Sequence, residues 1–255
     1  MKKIIFSLLA MMLFAGICNA QKLENKQKTP NLVDQNNKKQ GLWTDMQNDY
    51  TYKGLYKDDK RVGLWVAYHP NDMVAVMEEY KDGAKEGISL EIDPRGSVTK
   101  ELYFTNGKLN GIAKEFSSGG RLKSEVTYLN GILNGPYVTY GDNAKILEQF
   151  EFTNGLKDGL AIWYNQNGTK SAEFTYKQGV FEGLQRTYSE KGILFSEQYY
   201  VNNEAHGEYK EFFENGNIKI NGSFNKGKEE GDFKEFDENG KLIKLTKYKA
   251  GIEKK

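Results

Sequence analysis

The sequence predicts an all-β protein built from tandem antiparallel β-hairpins, and three observations support this prediction. Glycines recur at intervals of 24 residues, short runs of alternating polar and apolar residues lie between them, and aromatic residues end most of these runs. Alternation with a period of two, bounded by Gly-containing turns, is typical of strands and hairpins. A fixed period of roughly 20–50 residues indicates an array of structural repeats. We therefore expect about nine hairpin units over residues 41–255, joined into one long twisted single-layer sheet or solenoid.

Three glycine series define the repeat. The first series runs without interruption, and we interpret its members as structural turn glycines: Gly63, Gly87, Gly111, Gly135, Gly159, Gly183, Gly207 and Gly231. A second series, from Gly83 to Gly251, is interrupted only by Asn203, which also tolerates the left-handed backbone conformation. A third series, from Gly96 to Gly240, has Ala144 as its exception.

The parity of the aromatic positions predicts the pairing within each hairpin. The first strands end in an even-numbered column of Tyr68, Phe116, Tyr140, Tyr164, Tyr188, Phe212 and Phe236. The second strands end in an even-numbered column of Tyr80, Phe104, Tyr128, Phe152, Tyr176, Tyr200, Phe224 and Tyr248. Because directly opposed residues share a face, we expect even positions to pair with even positions across each hairpin, which buries one continuous apolar stripe.

The same parity predicts the connections. It excludes a two-residue hairpin turn and favours a three- or five-residue loop. A three-residue loop that ends in a left-handed glycine fits Gln166-Asn167-Gly168 and Glu214-Asn215-Gly216. Each unit is then a strand, a tight turn, a second strand and a wider turn to the next unit.

The N-terminus predicts export. Lys2 and Lys3 precede an apolar run over residues 4–16, and Cys18-Asn19-Ala20 offers small residues for cleavage after Ala20. Lipidation of Cys18 is the alternative, but the bulky Ile17 before it is unfavourable. Residues 1–20 are thus a signal peptide, and the mature chain is expected in the periplasm or outside the cell. Residues 21–40 are polar and predict a flexible leader.

Composition excludes several classes of function. Cys18 is the only cysteine, so the mature chain would have neither disulfides nor thiolate metal sites. Removal of the signal leaves 34 basic against 35 acidic residues, which gives no electrostatic basis for binding nucleic acid. No other segment is apolar enough to cross a membrane. No cofactor and no metal are expected.

The candidate functional residues lie on the odd, mainly polar face of the predicted sheet. His69 and His206, the only two histidines, stand six repeats apart, so they cannot form one catalytic or metal site, and no catalytic group is assigned. The glutamates Glu101, Glu125, Glu173 and Glu197 form a column on this face. We interpret them as members of solvated cross-strand ion pairs, in preference to an ion or partner site, and we interpret Glu211 and Lys219 as such a pair. The candidate partner-binding surface combines the exposed aromatics with this column: Tyr103, Tyr137, Trp163, Tyr199, Tyr209, Glu101, Glu125, Glu173 and Glu197.

The repeat resembles a known family. Its units are similar to the membrane occupation and recognition nexus (MORN) repeat, as in Tyr52-Lys53-Gly54-Leu55-Tyr56. They are most similar to the bacterial variant of that repeat, as in Asn154-Gly155-Leu156-Lys157-Asp158-Gly159 followed by Trp163-Tyr164-Asn165-Gln166-Asn167-Gly168. The resemblance covers about residues 37–253. It implies tandem hairpins and a role in protein contact or membrane-proximal scaffolding, and it transfers no catalytic residue. Some bacterial relatives carry an antitoxin label, which fits poorly with an exported chain.

These observations predict a non-catalytic, exported repeat protein that acts as a protein-interaction or envelope scaffold module. Its partner is expected to be another protein. The alternative is carbohydrate or cell-wall binding, because aromatic side chains spaced along a sheet can stack on sugar rings. An envelope surface or glycan is then the ligand.

Overall fold

The computed structural model describes residues 30–254, and every regular element in this range is a β-strand of one antiparallel sheet. In chain order the strands are β1 (Leu32–Val33), β2 (Lys39–Gln47), β3 (Tyr50–Lys57), β4 (Lys60–Tyr68), β5 (Val74–Lys81), β6 (Ala84–Ile92), β7 (Val98–Thr105), β8 (Lys108–Leu109), β9 (Gly111–Phe116), β10 (Leu122–Leu129), β11 (Ile132–Tyr140), β12 (Ile146–Thr153), β13 (Leu156–Lys157), β14 (Gly159–Tyr164), β15 (Lys170–Lys177), β16 (Val180–Tyr188), β17 (Leu194–Val201), β18 (Glu204–Phe212), β19 (Ile218–Asn225), β20 (Lys228–Glu229), β21 (Gly231–Phe236), β22 (Leu242–Lys249) and β23 (Ile252–Lys254). The predicted all-β class with tandem antiparallel hairpins is confirmed. The predicted signal peptide, residues 1–20, lies outside the described residues.

Contacts divide the chain into two units. Unit 1 contains the residues up to 121 together with 128–131, and unit 2 contains 122–127 together with the residues from 132 onward. Within each unit, strands pair with their neighbours in the chain. The short strands β8, β13 and β20 are the first parts of strands that a bulge interrupts, since β12 pairs with both β13 and β14, and β7 and β19 behave in the same way.

The connection between successive hairpins is a two-residue turn, not the wider turn that parity predicts. Thr153 pairs with Leu156 across Asn154-Gly155, whose φ angles are 51° and 82°. Positive φ at both central residues defines a type I′ turn, whose twist matches that of the flanking strands, and Asn-Gly is its preferred sequence. The second glycine series therefore consists of the second residues of these turns.

The loop inside each hairpin agrees with the prediction. In the loop Gln166-Asn167-Gly168, the amide of Gly168 donates to the carbonyl of Asn165 at 2.8 Å, and the amide of Asn165 donates to the carbonyl of Thr169 at 2.8 Å. Gly168 has a φ of 91°. This is the three-residue loop with a left-handed glycine at its end.

The predicted even-to-even pairing is wrong beyond this loop. Trp163 lies opposite Ala172, whereas the next residue, Tyr164, lies opposite Lys170. One extra residue, Ser171, is therefore accommodated in a β-bulge, which reverses the parity of the pairing in the rest of the hairpin. The same shift follows Ala67 and Glu91 in unit 1, and in unit 2 it follows Thr139, Thr187, Glu211 and Glu235.

The bulge places the two aromatic columns on opposite faces. Even positions of the second strands share a face with odd positions of the first strands, and we call this the aromatic face in each unit. The other side is called the glutamate face. Tyr188, from the first-strand column, lies on the glutamate face, where its hydroxyl donates to Glu173 at 2.6 Å. The predicted apolar stripe is therefore present on the aromatic face. It is formed by even second-strand residues together with odd, not even, first-strand residues.

The first glycine series is also corrected. These eight glycines were predicted in turns, but each lies within or begins a strand, and each has a positive φ, from 65° at Gly63 to 122° at Gly111. Gly183 illustrates their role: between Phe174 and Tyr176 the register of β15 on β16 shifts across this glycine. Glycine is favoured at a bulge because it adopts positive φ without a steric penalty.

On the aromatic face of unit 1, the core is an aromatic row covered by long charged side chains. Trp65 is only 1 % exposed, and a Cβ built on Gly54 would come within 2.3–2.5 Å of three indole atoms. The indole contacts Tyr56 and Tyr80 edge-on, with ring centroids 4.9 and 6.5 Å away. The Arg61 guanidinium lies 4.1 Å from the indole centroid. A single sheet thus buries a large ring by pairing it with a glycine below and an arginine above.

Unit 2 has two such aromatic rows on its aromatic face. The first contains Tyr137, which stacks on Phe150 with centroids 4.6 Å apart, and Ala161, which is fully buried. The second contains Phe233, whose ring occupies the space above Gly222, where a Cβ would approach it to 2.4 Å. Small residues thus lie beside large rings on neighbouring strands at Ala161, which is opposite Phe174, and at Gly222, which lies beneath Phe233.

The three-residue loops are linked to one another by asparagine side chains. The side-chain amides of Asn143, Asn167 and Asn215 donate to the backbone carbonyls of Gln166, Glu190 and Glu238, each 23 residues further along the chain, at 2.9–3.1 Å. Because these asparagines also accept a backbone N–H within their own loops, as Asn167 does from Thr169, each one holds two loops together.

The N-terminal boundary of the array differs from the prediction. Residues 21–40 were predicted as a flexible leader, but Leu32 and Val33 pair with Gln40 and Lys39, and Asn31 exchanges two hydrogen bonds with Thr44. Residues 21–29 lie outside the described range. The described part of this segment belongs to the sheet.

Candidate functional site

The structure divides the predicted partner-binding surface between the two faces. Tyr103 and Tyr199 lie on the glutamate face, opposite Ile88 and Leu184. The other three aromatic residues were predicted there but lie on the aromatic face: Tyr137 opposite Phe150, Trp163 opposite Ala172 and Tyr209 opposite Gly222. The physical reason is the bulge beside each loop, which reverses the face of first-strand residues only. The five aromatics do not form one surface.

The four glutamates of the candidate surface do lie on the glutamate face, and side chains of the same sheet satisfy them. Glu173 accepts a hydrogen bond from the hydroxyl of Tyr188 and forms an ion pair with Lys170. In the other three cases the donor is Tyr103 for Glu101 at 3.1 Å, Tyr140 for Glu125 at 2.8 Å and Arg186 for Glu197 at 2.7 Å. Glu125, Glu173 and Glu197 thus have a partner on the neighbouring strand, which supports the cross-strand interpretation, whereas Tyr103 lies on the same strand as Glu101.

These pairs change the titration of the tyrosines. Burial, followed by the hydrogen bond to Glu173, raises the pKa of Tyr188 to about 12. Burial and the hydrogen bond to Glu125 raise the pKa of Tyr140 to about 12 in the same way. For Glu173, burial acts to raise the pKa, but the hydrogen bonds from Lys170 and Tyr188 outweigh it and lower the pKa below its ordinary value. The Glu173 carboxylate is therefore held charged. All four carboxylates are bonded within the sheet, so they are structural partners and not free ligands.

One feature of the glutamate face that is open to a partner is an apolar patch in unit 2. Strand β17 presents Phe195, Tyr199 and Val201 on this face, and they are 47 %, 50 % and 37 % exposed. Tyr199 lies opposite Leu184, and Leu160, which is 48 % exposed, lies on the same face two strands further away. We call these five residues the β17 patch. Contiguous exposed apolar residues rimmed by polar ones are typical of protein-interaction sites.

Of the β17 patch, only Tyr199 was predicted from the sequence. A signal was available for two further residues, since Phe195 and Val201, like Tyr199, are apolar residues at odd positions of a second strand, where the next repeat has Lys219, Ser223 and Asn225. An apolar residue on the solvated side of an antiparallel strand is a signal of an exposed apolar surface.

The structure places the two histidines in unrelated surroundings. The ring of His69 hydrogen-bonds through Nε2 to the carbonyl of Ile92 at 2.8 Å and lies 5.4 Å from Tyr50, whereas His206 is exposed on β18. Among residues 30–254, no three His, Cys, Asp or Glu side chains stand close enough together to hold a metal ion. Within the same residues, no helix has the length and apolar character to cross a bilayer.

The geometry defines a tandem β-hairpin repeat protein, and comparison with known families identifies the repeat family. The family model of the MORN repeat variant matches residues 109–130, 157–178, 181–202, 205–226 and 229–250. Each matched segment ends at the first residue of a two-residue turn, such as Asn130, so the matched unit is one hairpin with its three-residue loop. This chain belongs to the MORN-repeat proteins, whose repeats are in general non-catalytic and mediate binding to proteins or membrane lipids. No curated protein sequence matches it.

Proposed function

We propose that this protein is an exported, non-catalytic binding module that docks a protein partner in the cell envelope through the β17 patch. Export is supported by the signal-like residues 1–20, and protein binding is supported by the repeat family. The observation that carries the proposal is the exposure of Phe195, Tyr199 and Val201 on one strand face.

The β17 patch has the composition of an interaction hot spot. Tyr199 supplies a large, half-exposed ring with a polar tip, and such residues contribute most of the binding free energy at many interfaces. Charged residues beside Tyr199 on this face are already paired in the Arg186–Glu197 ion pair at 2.7 Å. A partner that covers Tyr199 therefore does not have to desolvate an unpaired charge at Arg186 or Glu197.

Site-specific photo-crosslinking in the producing cells tests the docking surface. A benzophenone amino acid at Tyr199 or at Leu160 should yield a crosslinked product of the same mass, because both positions contact one partner. The matched control is Lys247, which is exposed on the glutamate face of the same unit but lies outside the patch. A product that forms equally from all three positions, or from Lys247 alone, would contradict the proposal.

Export has a separate test. Mass spectrometry of the protein purified from its own cells should show a chain that begins at Gln21, in the envelope or culture fluid. A full-length chain that retains Met1 and remains in the cytosol would exclude an envelope role.

A second function, carbohydrate binding, is favoured by one specific observation. The indole N–H of Trp163 has no hydrogen-bond partner among the described residues, and it is accessible to solvent.

A further inference from the structure

We propose that Trp163, Glu148 and Lys157 form a subsite for one neutral pyranose ring of a glycan, on the aromatic face of unit 2. The proposal rests on the second proposed function, carbohydrate binding, and gives it a location. It is independent of the β17 patch, which lies on the other face.

The indole group of Trp163 differs from the two other tryptophans of the chain. Trp43 donates its N–H to the carbonyls of Leu32 and Gln40, and Trp65 donates to the carbonyl of Leu55, each at 3.1 Å. Within residues 30–254, Trp163 makes no such bond, and its ring is partly exposed. It therefore offers an N–H that is not bonded within residues 30–254, beside a partly exposed aromatic ring, and a sugar supplies a hydroxyl for the first and a C–H face for the second.

The position of Trp163 is closed by ion pairs in several other repeats. The equivalent residues Glu91, Glu211 and Glu235 are paired with lysines at 3.1, 2.6 and 2.8 Å. Here the residue opposite Trp163 on β12 is Glu148, whose carboxylate makes no hydrogen bond or ion pair with any described residue. This repeat thus places a partly buried acceptor, Glu148, next to the Trp163 donor, and neither is bonded among residues 30–254.

Small residues lie beside the indole across the sheet. Ala172, directly opposite on β15, is a small residue, and Thr187 follows it on β16. Since neighbouring strands lie about 4.8 Å apart, β14 and β16 stand about 10 Å apart on either side of Ala172, a distance that suits one sugar ring. The rings of Phe150 and Phe174 lie next to the indole, with centroids 6.2 and 5.2 Å away.

Lys157 is the third polar residue of the proposed subsite. Its ammonium nitrogen lies 5.4 Å from the Trp163 ring centroid and 4.0 Å from that of Phe150. A pyranose carries hydroxyls that both donate and accept hydrogen bonds. Glu148 accepts from such hydroxyls, and the indole N–H and Lys157 donate to them, while the ring C–H face stacks on Trp163. A preformed platform of this kind loses little entropy when a ligand binds.

The test follows the indole N–H signals of the mature chain by NMR after labelling of tryptophan with ¹⁵N. The probes are hexasaccharides of β-1,4-glucose, β-1,4-N-acetylglucosamine, β-1,4-mannose and α-1,4-glucose. We expect at least one probe to move the Trp163 signal, which is assigned with Trp163→Phe, while the signals of Trp43 and Trp65 stay fixed.

Variants then locate the site. Trp163→Ala and Glu148→Gln should each weaken binding by about tenfold or more, which is the effect of losing one good contact of roughly 1.4 kcal/mol. The matched control is Glu235→Gln, because Glu235 occupies the position equivalent to Trp163 near the end of unit 2. This variant should leave binding unchanged. A thermal melt of each variant shows whether it is folded.

The outcomes separate the site from the function. Binding of a probe that leaves the Trp163 signal in place and survives Trp163→Ala would refute this subsite but retain carbohydrate binding. Absence of binding of every probe up to about 10 mM, which is weaker than ordinary specific recognition, would refute both.

Discussion

The contact between Gly54 and Trp65 gives the sharpest prediction for stability. Replacing Gly54 with Ala adds one methyl group, and this group would lie 2.3–2.5 Å from three atoms of the indole. The backbone at Gly54 does not have a positive φ, so the substitution introduces no backbone strain. Its whole effect comes from displacing a ring that is 1 % exposed.

The magnitude follows from what the ring loses when it moves. Overpacking of a well-packed core costs about 1–3 kcal/mol. Displacement also breaks the bond from the Trp65 N–H to the carbonyl of Leu55, which is worth about 1 kcal/mol. We therefore expect Gly54→Ala to lower the free energy of unfolding by about 2–4 kcal/mol, and to lower the Tm by roughly 5–15 °C.

Indole fluorescence during thermal unfolding measures this effect, and a double-mutant cycle identifies its cause. In a Trp65→Leu background the added methyl group has space, so Gly54→Ala should cost less than about 0.5 kcal/mol. The matched control is Gly63→Ala, because Gly63 has open space around a Cβ but a φ of 65°, and strain alone should cost about 1–2 kcal/mol there in both backgrounds. An equal cost of Gly54→Ala with and without the indole would refute the steric explanation.

Three further predictions concern the loop, the aromatic face and the glutamate face. Gly168→Val should destabilise unit 2 by about 1–3 kcal/mol, because a β-branched residue resists the left-handed φ of 91°, and an unchanged denaturant midpoint would contradict the loop assignment. Phe152→Asp should cost about 3 kcal/mol or more in the same measurement, since it removes an aromatic ring and adds a charge on the aromatic face, and a smaller loss than for Gly168→Val would count against that face. Alkaline titration of tyrosinate absorbance should show Tyr188 ionising near pH 12. Because its folded pKa is raised above the ordinary value of 10.0, its contribution to stability is complete below pH 10 and is lost as the pH rises toward 12. Glu173→Gln should bring this pKa down part of the way, because burial, the larger cause, remains, and no change would exclude the hydrogen bond as a cause.

The repeat period and the aromatic columns were sufficient to predict the strands and the three-residue loops. They were not sufficient to predict the face of every residue. A single bulge such as that at Ser171 adds one residue without changing the period of 24, so it leaves no trace in a self-comparison of the sequence. The glycines inside the strands, such as Gly183, were the available signal, because a glycine within a strand pattern indicates a bulge. They were interpreted as turn residues instead.

The candidate site was predicted less well for the same reason. Its aromatic residues were grouped by parity, and the bulge separates Trp163 from Tyr199. The Glu148–Trp163 pair joins strands of two different repeats, and its register depends on the bulge at Gly159, between β13 and β14. The sequence carries no sign that this carboxylate is without a partner among residues 30–254.

The fit of each large ring over a small residue on the adjacent strand has a consequence for how such an array can grow. Trp65 occupies the space over Gly54, and Phe233 occupies the space over Gly222, so each match is made between two successive hairpins and not within one. A duplicated hairpin would carry its own ring to a new neighbour that has no gap to receive it, as where Glu78 stands in the place of Gly54 one repeat later. Lengthening this protein by copying a unit therefore requires a compensating substitution in the adjoining unit, and its repeats are not interchangeable parts.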